Sequence, residues 1–257
     1  MSLLRSFVTA FSMFSRLPVP MLQWRDSNMR YMLAMFPFVG AVVSLFIWAW
    51  LWICEALGFG VILRAAGLTL LPIAVTGGIH LDGFCDTVDA LASRAPQERK
   101  REILKDPHSG AFAVIGVISY LIMYFALGTE LKTGPMTPLL FSLMFILSRT
   151  LSGLSVLLFS ANAGKGLLSA FKTSASAKVS IAILIVFFIL CLSGLLFVNV
   201  LTGSVMAAAA LLCLVYLFFM SRRQFGGMSG DLAGYFLQLC ELFMLASVIL
   251  VQKVVAL

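Results

Sequence analysis

Charged side chains are scarce in this chain of 257 residues. Only 11% of the residues are charged and 61% are hydrophobic, whereas an ordinary soluble domain carries about 25% charged residues. A soluble fold of this length has too little interior to hide so much apolar surface. The composition therefore excludes a soluble enzyme and indicates an integral membrane protein.

Paired cysteines and internal repeats are also missing. The five cysteines have no paired spacing, so they predict neither a disulfide framework nor a zinc site. The apolar N-terminal segment lacks the small-residue cleavage site of a signal peptide. No linker or low-complexity segment divides the chain, so we expect one integral-membrane domain over residues 1–257.

Apolar runs long enough to cross a bilayer occur seven times, which predicts an all-α fold, a polytopic transmembrane helical bundle. A span needs about 20 mostly apolar residues to cross roughly 30 Å of hydrocarbon. The second run is the weakest, because Arg64 lies near its start and Pro72 interrupts it. The spans are expected near residues 35–56, 61–78, 110–131, 138–159, 180–200, 203–220 and 235–252.

The N-terminal segment predicts a helix of a different kind. Residues 3–16 are too short and too interrupted by polar residues to span a membrane. They fit an amphipathic helix that lies in the membrane interface. Pro18 and Pro20 follow and end it, since proline does not continue a helix.

Lysine and arginine are distributed unevenly between alternate loops. Fourteen of the 18 lie before span one or in the loops that follow spans two, four and six, and three lie in the opposite set. Excess positive charge stays in the cytoplasm, so the N-terminus is predicted to be cytoplasmic. The net charge of +7 reflects this topology and attraction to anionic headgroups, and it requires no nucleic-acid partner.

Acidic residues are few, and six of the eleven lie between positions 82 and 106. On a helix, Asp82, Asp86 and Asp89 share one face, because their spacing is i, i+4 and i+7. Three like charges on one face repel each other, and a divalent cation removes this conflict. Carboxylates favour Mg²⁺ over Zn²⁺, so these residues are predicted metal ligands. The alternative is that they cap a helix and pair with nearby basic residues.

Glycines and basic residues surround this acidic cluster. Gly77, Gly78 and Gly83 allow a bulky anion to approach the backbone closely. Arg94 and Lys105 are candidates to hold phosphoryl oxygens, or they bind the lipid headgroup layer. Phosphate is therefore the predicted substrate group.

Two further segments bring acids and glycines to the same membrane face. Asp106 precedes span three, and Gly227, Gly230 and Asp231 precede span seven. A glycine-rich turn before a helix presents free N–H groups to phosphate, and both acids are further candidate metal ligands. The alternative for residues 226–231 is a tight loop with Asp231 as the helix N-cap.

Histidine occurs only twice, and His80 directly precedes the acidic cluster. A histidine at this position is either a general base near neutral pH or a residue that hydrogen-bonds a backbone carbonyl. The sequence leaves both roles open, and His80 and Asp82 are the candidate catalytic residues.

Two charged residues lie inside predicted spans. Arg149 and Glu241 each lie about 15 Å along their helices from the cytoplasmic side. Either charge alone would cost several kcal/mol at this depth, so we predict a buried ion pair. Arg149 is in addition a candidate substrate-binding residue.

Two long segments resemble a known family. Residues 76–90 read TGGIHLDGFCDTVDA, and residues 99–106 read RKREILKD. The pattern resembles that of the membrane-bound cobalamin synthases, or adenosylcobinamide-GDP ribazoletransferases. The resemblance extends over nearly the whole chain and includes residues 14–20, 36–40, 227–231 and Glu241.

The resemblance implies a Mg²⁺-dependent transfer. A ribose hydroxyl of α-ribazole, or of its 5′-phosphate, attacks adenosylcobinamide-GDP, and GMP leaves. Mg²⁺ on Asp82, Asp86 and Asp89 would neutralise the diphosphate, while His80 or a spare carboxylate accepts the proton. We expect the protein in the bilayer of a bacterial cytoplasmic (inner) membrane, with its active site facing the cytoplasm. The oligomeric state stays open, and a homo-oligomer is one alternative.

Three other classes of membrane protein fit the sequence less well. CDP-alcohol phosphotransferases continue differently after Asp82 and Gly83, where this chain has Asp86 and Thr87. Intramembrane prenyltransferases space their aspartates in another order. A cation transporter should place its acids near the midplane in broken helices, whereas most acids here are predicted at one face.

Overall fold

A computed structural model describes residues 2–20, 29–160 and 176–256. Within these ranges the regular structure is helical, and no β-strand is present. A 3₁₀ turn at Leu33–Met35 precedes the second helix. The helices are α1 (Ser2–Phe14), α2 (Phe36–Ala56), α3 (Val61–Thr76), α4 (Ile79–Ala92), α5 (Gln97–Ile103), α6 (Ala111–Glu130), α7 (Thr137–Leu158), α8 (Ser176–Val198), α9 (Val200–Phe225) and α10 (Gly230–Val255).

Six helices of the described chain are long and apolar enough to cross a membrane. They are α2 with its preceding 3₁₀ turn, α6, α7, α8, α9 and α10. They confirm the all-α fold class and six of the predicted spans. The number rises to the expected seven if α3 and α4 together form one broken span. The chain is therefore a multi-pass membrane protein, and the predicted N-terminal helix is present as α1.

The second predicted span is broken. Helix α3 ends at Thr76, and α4 begins at Ile79 at an angle of 97° to it. Gly77 and Gly78 have φ values of +68° and +80°, which glycine adopts without steric cost. The span predicted at 61–78 therefore ends earlier than expected, and the acidic cluster lies on a separate helix.

Polar contacts join α6 and α10 at the end of the bundle remote from the acidic cluster. Lys253 forms an ion pair with Glu130 at 2.5 Å. The Gln252 side chain donates to the Lys132 carbonyl at 2.9 Å and accepts from the Lys132 N–H at 3.1 Å. Helices α6 and α10 therefore end on the same side, as the predicted alternation of spans requires.

Helices α7 and α10 form the centre of the bundle, where the predicted ion pair between Arg149 and Glu241 is confirmed. Arg149 is 1% exposed and Glu241 is 2% exposed. The Ser148 hydroxyl donates to Glu241 at 2.8 Å and accepts from Arg149 at 2.9 Å. The Phe145 ring lies 5.2 Å from the guanidinium. The pair is thus hydrogen-bonded within the bundle, as a buried charge requires.

Replacing one partner of this pair is expected to destabilise the protein more than replacing both. Arg149→Met or Glu241→Met leaves a buried charge without its counterion, at a cost of about 3–5 kcal/mol. The double variant buries no charge and should unfold closer to wild type. Denaturant unfolding in detergent micelles measures the free energy of unfolding of each variant. If the decrease in the double variant equalled the sum of the two single decreases, the coupling would be contradicted.

Candidate active site

The acidic stripe lies on α4 as the spacing predicts. Asp82 is exposed, and Asp86 and Asp89 are half-buried. Asp89 accepts a hydrogen bond from the Ala113 N–H in the first turn of α6, at 3.3 Å. Asp231, from the first turn of α10, lies close enough to repel Asp86 electrostatically, as do Asp82 and Asp89. Four carboxylates from two helices therefore act on one another.

Two glycines allow α4 and α10 to approach closely. A Cβ atom on Gly83 would lie 2.8 Å from the Asp231 carbonyl oxygen, and one on Gly234 would lie 2.8 Å from the His80 carbonyl oxygen. Real Cβ atoms do not come so close to a backbone oxygen, since the atoms would overlap. Gly83 was predicted as a phosphate-binding residue. The structure shows that the contact between the two helices itself requires glycine here, and this contact brings Asp231 beside α4.

The start of α10 differs from one interpretation of the sequence. Ser229 is the N-cap, because its hydroxyl oxygen accepts from the Leu232 N–H at 3.3 Å. The same hydroxyl donates to Asp231 at 3.4 Å. The alternative that Asp231 caps the helix is therefore wrong. Asp231 lies in the first helical turn, where the positive end of the helix dipole favours a carboxylate.

The four carboxylates carry uncompensated charge. None of Asp82, Asp86, Asp89 and Asp231 forms an ion pair with lysine or arginine in the described residues. In these same ranges, no three histidine, cysteine, aspartate or glutamate side chains lie close enough to hold a metal ion by themselves. Mg²⁺ commonly takes only one or two carboxylates and completes its shell with water or substrate phosphates. The donor set fits that mode of binding.

A cavity of about 230 Å³ adjoins the carboxylates. His80, Asp82 and Asp231 line it together with apolar side chains. These apolar residues come from α1, the 3₁₀ turn, α2, α7 and α10, and include Met13, Phe14, Met32, Phe36, Val156 and Leu237. The cavity therefore combines an apolar wall with acidic groups.

His80 lies in the wall of this cavity and is 4% exposed. Its ring packs beside the paired rings of Phe14 and Phe36, with centroid distances of 6.1 Å and 5.5 Å. The two phenylalanine rings lie 4.3 Å from each other. Its Nε2 atom is buried and has no hydrogen-bond partner among the residues that the structure describes. An unpaired buried polar atom costs free energy, which a ligand in the cavity can recover.

The sequence matches the model of one known family. The profile of the cobalamin-5-phosphate synthase family matches residues 6–249. The chain belongs to this family. No solved structure matches the chain.

Curated relatives agree with this family assignment over nearly their whole length. A protein of Lachnoclostridium phytofermentans is 39% identical over 255 residues, which is 99% of this chain and 97% of the relative. One from Clostridium perfringens is 33% identical over 90% of this chain and 91% of its own length. One from Listeria welshimeri is 32% identical over 96% and 98%. Each is named adenosylcobinamide-GDP ribazoletransferase.

Of the remaining predicted site residues, only some line the cavity. Gly230 lines the cavity at the start of α10. Gly227 lies in the preceding loop, where its N–H donates to the Ser221 carbonyl at 3.0 Å. Arg94 and Lys105 are exposed on either side of α5. Arg149 is enclosed in its ion pair, so its role in substrate binding stays a prediction.

Asp106 lies in the loop before α6 and is exposed. It accepts hydrogen bonds from the His108 N–H at 3.0 Å and contacts the His108 ring at 2.8 Å. These hydrogen bonds hold the pKa of the Asp106 carboxyl below its ordinary value. Its predicted role as a metal ligand rests on the sequence alone, since its contacts are with His108 and not with the α4 carboxylates.

The apolar residues of the site were not predicted from the sequence. Met13 and Phe14 close the cavity from α1, and Phe36 closes it from the start of α2. Apolar residues of this kind are common throughout the chain, so composition and spacing give no signal that separates cavity lining from ordinary packing. Only the fold brings them to His80.

The glycine contact between α4 and α10 can be tested by adding one methyl group. Gly234→Ala should lower the free energy of unfolding by about 1–3 kcal/mol, because the methyl group meets backbone atoms that cannot move aside easily. Gly134→Ala is the control, since a Cβ atom there meets nothing within 4 Å. Equal stability of the two variants in detergent would show that the helices are not held this closely.

Proposed function

We propose that this protein is an adenosylcobinamide-GDP ribazoletransferase that acts in cobalamin biosynthesis. It joins adenosylcobinamide-GDP to α-ribazole, or to its 5′-phosphate, and releases GMP. The observation that carries this proposal is the set of four carboxylates on α4 and α10 beside an apolar cavity, in a chain whose family match extends over residues 6–249. The names of its relatives state the same activity.

The cavity suits one part of these substrates. Its volume of about 230 Å³ admits a bicyclic aromatic base such as that of α-ribazole, whereas the corrin ring far exceeds it. Phe14 and Phe36 offer aromatic surface to such a base. The unpartnered Nε2 of His80 can donate to the ring nitrogen that is not bonded to ribose. The ribose then extends toward Asp82 and Asp231 at the same cavity.

The reaction exchanges the phosphoanhydride bond of the corrinoid phosphorus for a second ester bond. A ribose hydroxyl oxygen forms a bond to the phosphorus next to cobinamide, and the bond from this phosphorus to the bridging oxygen breaks. GMP leaves with that oxygen. We assign the role of accepting the hydroxyl proton to Asp231, which lines the cavity from α10.

The α4 carboxylates by themselves would repel a diphosphate. Asp82, Asp86 and Asp89 therefore need a divalent cation in order to hold the substrate, and we assign this role to Mg²⁺. The ion would supply charge neutralisation on the diphosphate and on the departing GMP. The carboxylates would hold it on one side and leave its remaining positions to phosphate oxygens.

We place the site at the cytoplasmic face of the bacterial inner membrane. Fourteen positive residues against three support this orientation. The contacts between α6 and α10 lie at the opposite end of the bundle, as this topology requires. Both substrates are then reached from the cytoplasm.

Removing one metal ligand is expected to abolish most of the turnover. Asp82→Asn should lower GMP release from adenosylcobinamide-GDP and α-ribazole by about a hundredfold or more. The variant lacks one ligand of the Mg²⁺ that balances the charge on the diphosphate. Omission of Mg²⁺ should have an effect of the same kind. Lipid-reconstituted protein and chromatographic detection of GMP provide the measurement.

Glu102→Gln is the matched control for Asp82→Asn. Glu102 is exposed on α5 and pairs with Arg99 at the surface, so its loss should leave GMP release unchanged. Full turnover of Asp82→Asn, or full turnover without any divalent cation, would refute the assignment.

The proposed contact of His80 with the base predicts a change in KM. His80→Phe should raise the KM for α-ribazole about tenfold, because one hydrogen bond to the base is lost, with kcat nearly unchanged. His80→Gln retains an N–H donor and should restore part of the affinity. A fall in kcat with an unchanged KM would instead identify His80 as the proton acceptor.

A further inference from the structure

A second hollow, separate from the active-site cavity, lies where the loop after α4 and helix α5 meet the end of α9. Its volume is about 580 Å³. Three cationic side chains line it, those of Arg94, Lys100 and Arg223, together with the aromatic rings of Tyr216 and Phe219. Among the described residues, no aspartate or glutamate lines it. The lining therefore selects for an anion.

This hollow lies on the far side of α4 from the acidic stripe. Leu91, the α4 residue in its wall, is nine positions after Asp82 and therefore about 180° around the helix from it. Phe84, which stacks on Tyr235 of α10 at 5.4 Å, shares the Leu91 face. The cationic hollow is thus not an extension of the carboxylate site.

The charges in the hollow lack counterions. Lys100 is 6% exposed, and its ammonium donates to the neutral Gln224 side chain at 2.5 Å. None of Arg94, Lys100 and Arg223 forms an ion pair in the ranges that the structure describes. Arg94 also holds a φ of +51°, which is uncommon for a residue with a side chain. A buried ammonium without a counterion is costly, and a bound anion would offset that cost.

An apolar groove adjoins the hollow. It has a volume of about 870 Å³ and runs between α9 and α10. Tyr216 lines both the hollow and the groove. Its hydroxyl lies 3.2 Å from the hydroxyl of Tyr235, which lines the groove. From Tyr235 to Leu250 the groove follows 16 residues of α10, or about 22 Å. Its other lining residues are mostly apolar.

The position of the hollow relative to the membrane identifies the kind of anion. Arg223 lies in the last turn of α9, one of the membrane-spanning helices. The cations therefore lie at the depth of lipid headgroups, and the groove runs from them into the hydrocarbon layer. Basic pockets at the ends of membrane helices are typical sites for anionic headgroups.

We propose that the hollow and the groove together bind one anionic phospholipid. The phosphate group lies among Arg94, Lys100 and Arg223, and an acyl chain lies along the groove between α9 and α10. A free phosphate or nucleotide would use only the hollow, and a second copy of the chain would use only the groove. A phospholipid matches both the charge at one end and the apolar length at the other.

Arg223→Gln tests this site without altering a buried residue. The protein is reconstituted in nanodiscs that contain equal amounts of phosphatidylglycerol and phosphatidylcholine. It is then released in a native mass spectrometer, and the lipids that stay bound are counted. Wild type should retain phosphatidylglycerol in preference to phosphatidylcholine. Arg223→Gln should reduce that preference about fivefold, since one basic side chain near the headgroup is lost.

Arg222→Gln is the control, because it removes the same charge from the next residue. Arg222 lies over the Phe218 ring at 4.1 Å and does not line the hollow, so its loss should leave the preference unchanged. Equal effects of the two variants, or no lipid preference in wild type, would overturn the proposal. Release of the bound lipid on addition of inorganic phosphate would also overturn it. So would a mass spectrum that shows a protein dimer without bound lipid.

Discussion

The contact between α4 and α10 is the constraint on which the rest of the site depends. Gly83 and Gly234 allow the two backbones to touch, and this contact brings Asp231 of one helix beside the acidic stripe of the other. Four carboxylates then repel one another, and none of them forms an ion pair with lysine or arginine in the described part of the chain. The fold holds these like charges together against their repulsion. In the proposed mechanism, a cation and an anionic substrate bound beside them would offset it.

Much of this architecture follows from the sequence because its physical causes are local or costly to violate. The length of each apolar run fixed six spans to within a few residues, since an unpaired backbone in hydrocarbon is expensive. The ion pair of Arg149 and Glu241 was predictable for the same reason, because each charge needs a partner at that depth. The shared face of Asp82, Asp86 and Asp89 follows from helical spacing alone.

Other features depend on contacts between segments far apart in sequence. The bend between α3 and α4 comes from left-handed Gly77 and Gly78, which could equally have served phosphate binding. Ser229 took the capping position that the sequence also allowed for Asp231. The apolar cavity around His80 and the cationic hollow around Lys100 have no local signal, because residues from several helices form each wall.

Metal binding with and without substrate tests the central claim most directly. No three histidine, cysteine, aspartate or glutamate side chains in the described chain lie close enough to hold an ion, so we expect the substrate diphosphate to supply further ligands. Mn²⁺, used in place of Mg²⁺ and followed by electron paramagnetic resonance, should bind wild-type protein tightly only with adenosylcobinamide-GDP present, and should bind weakly to Asp86→Asn under both conditions. Tight binding without the diphosphate, or equal binding by Asp86→Asn, would contradict the account.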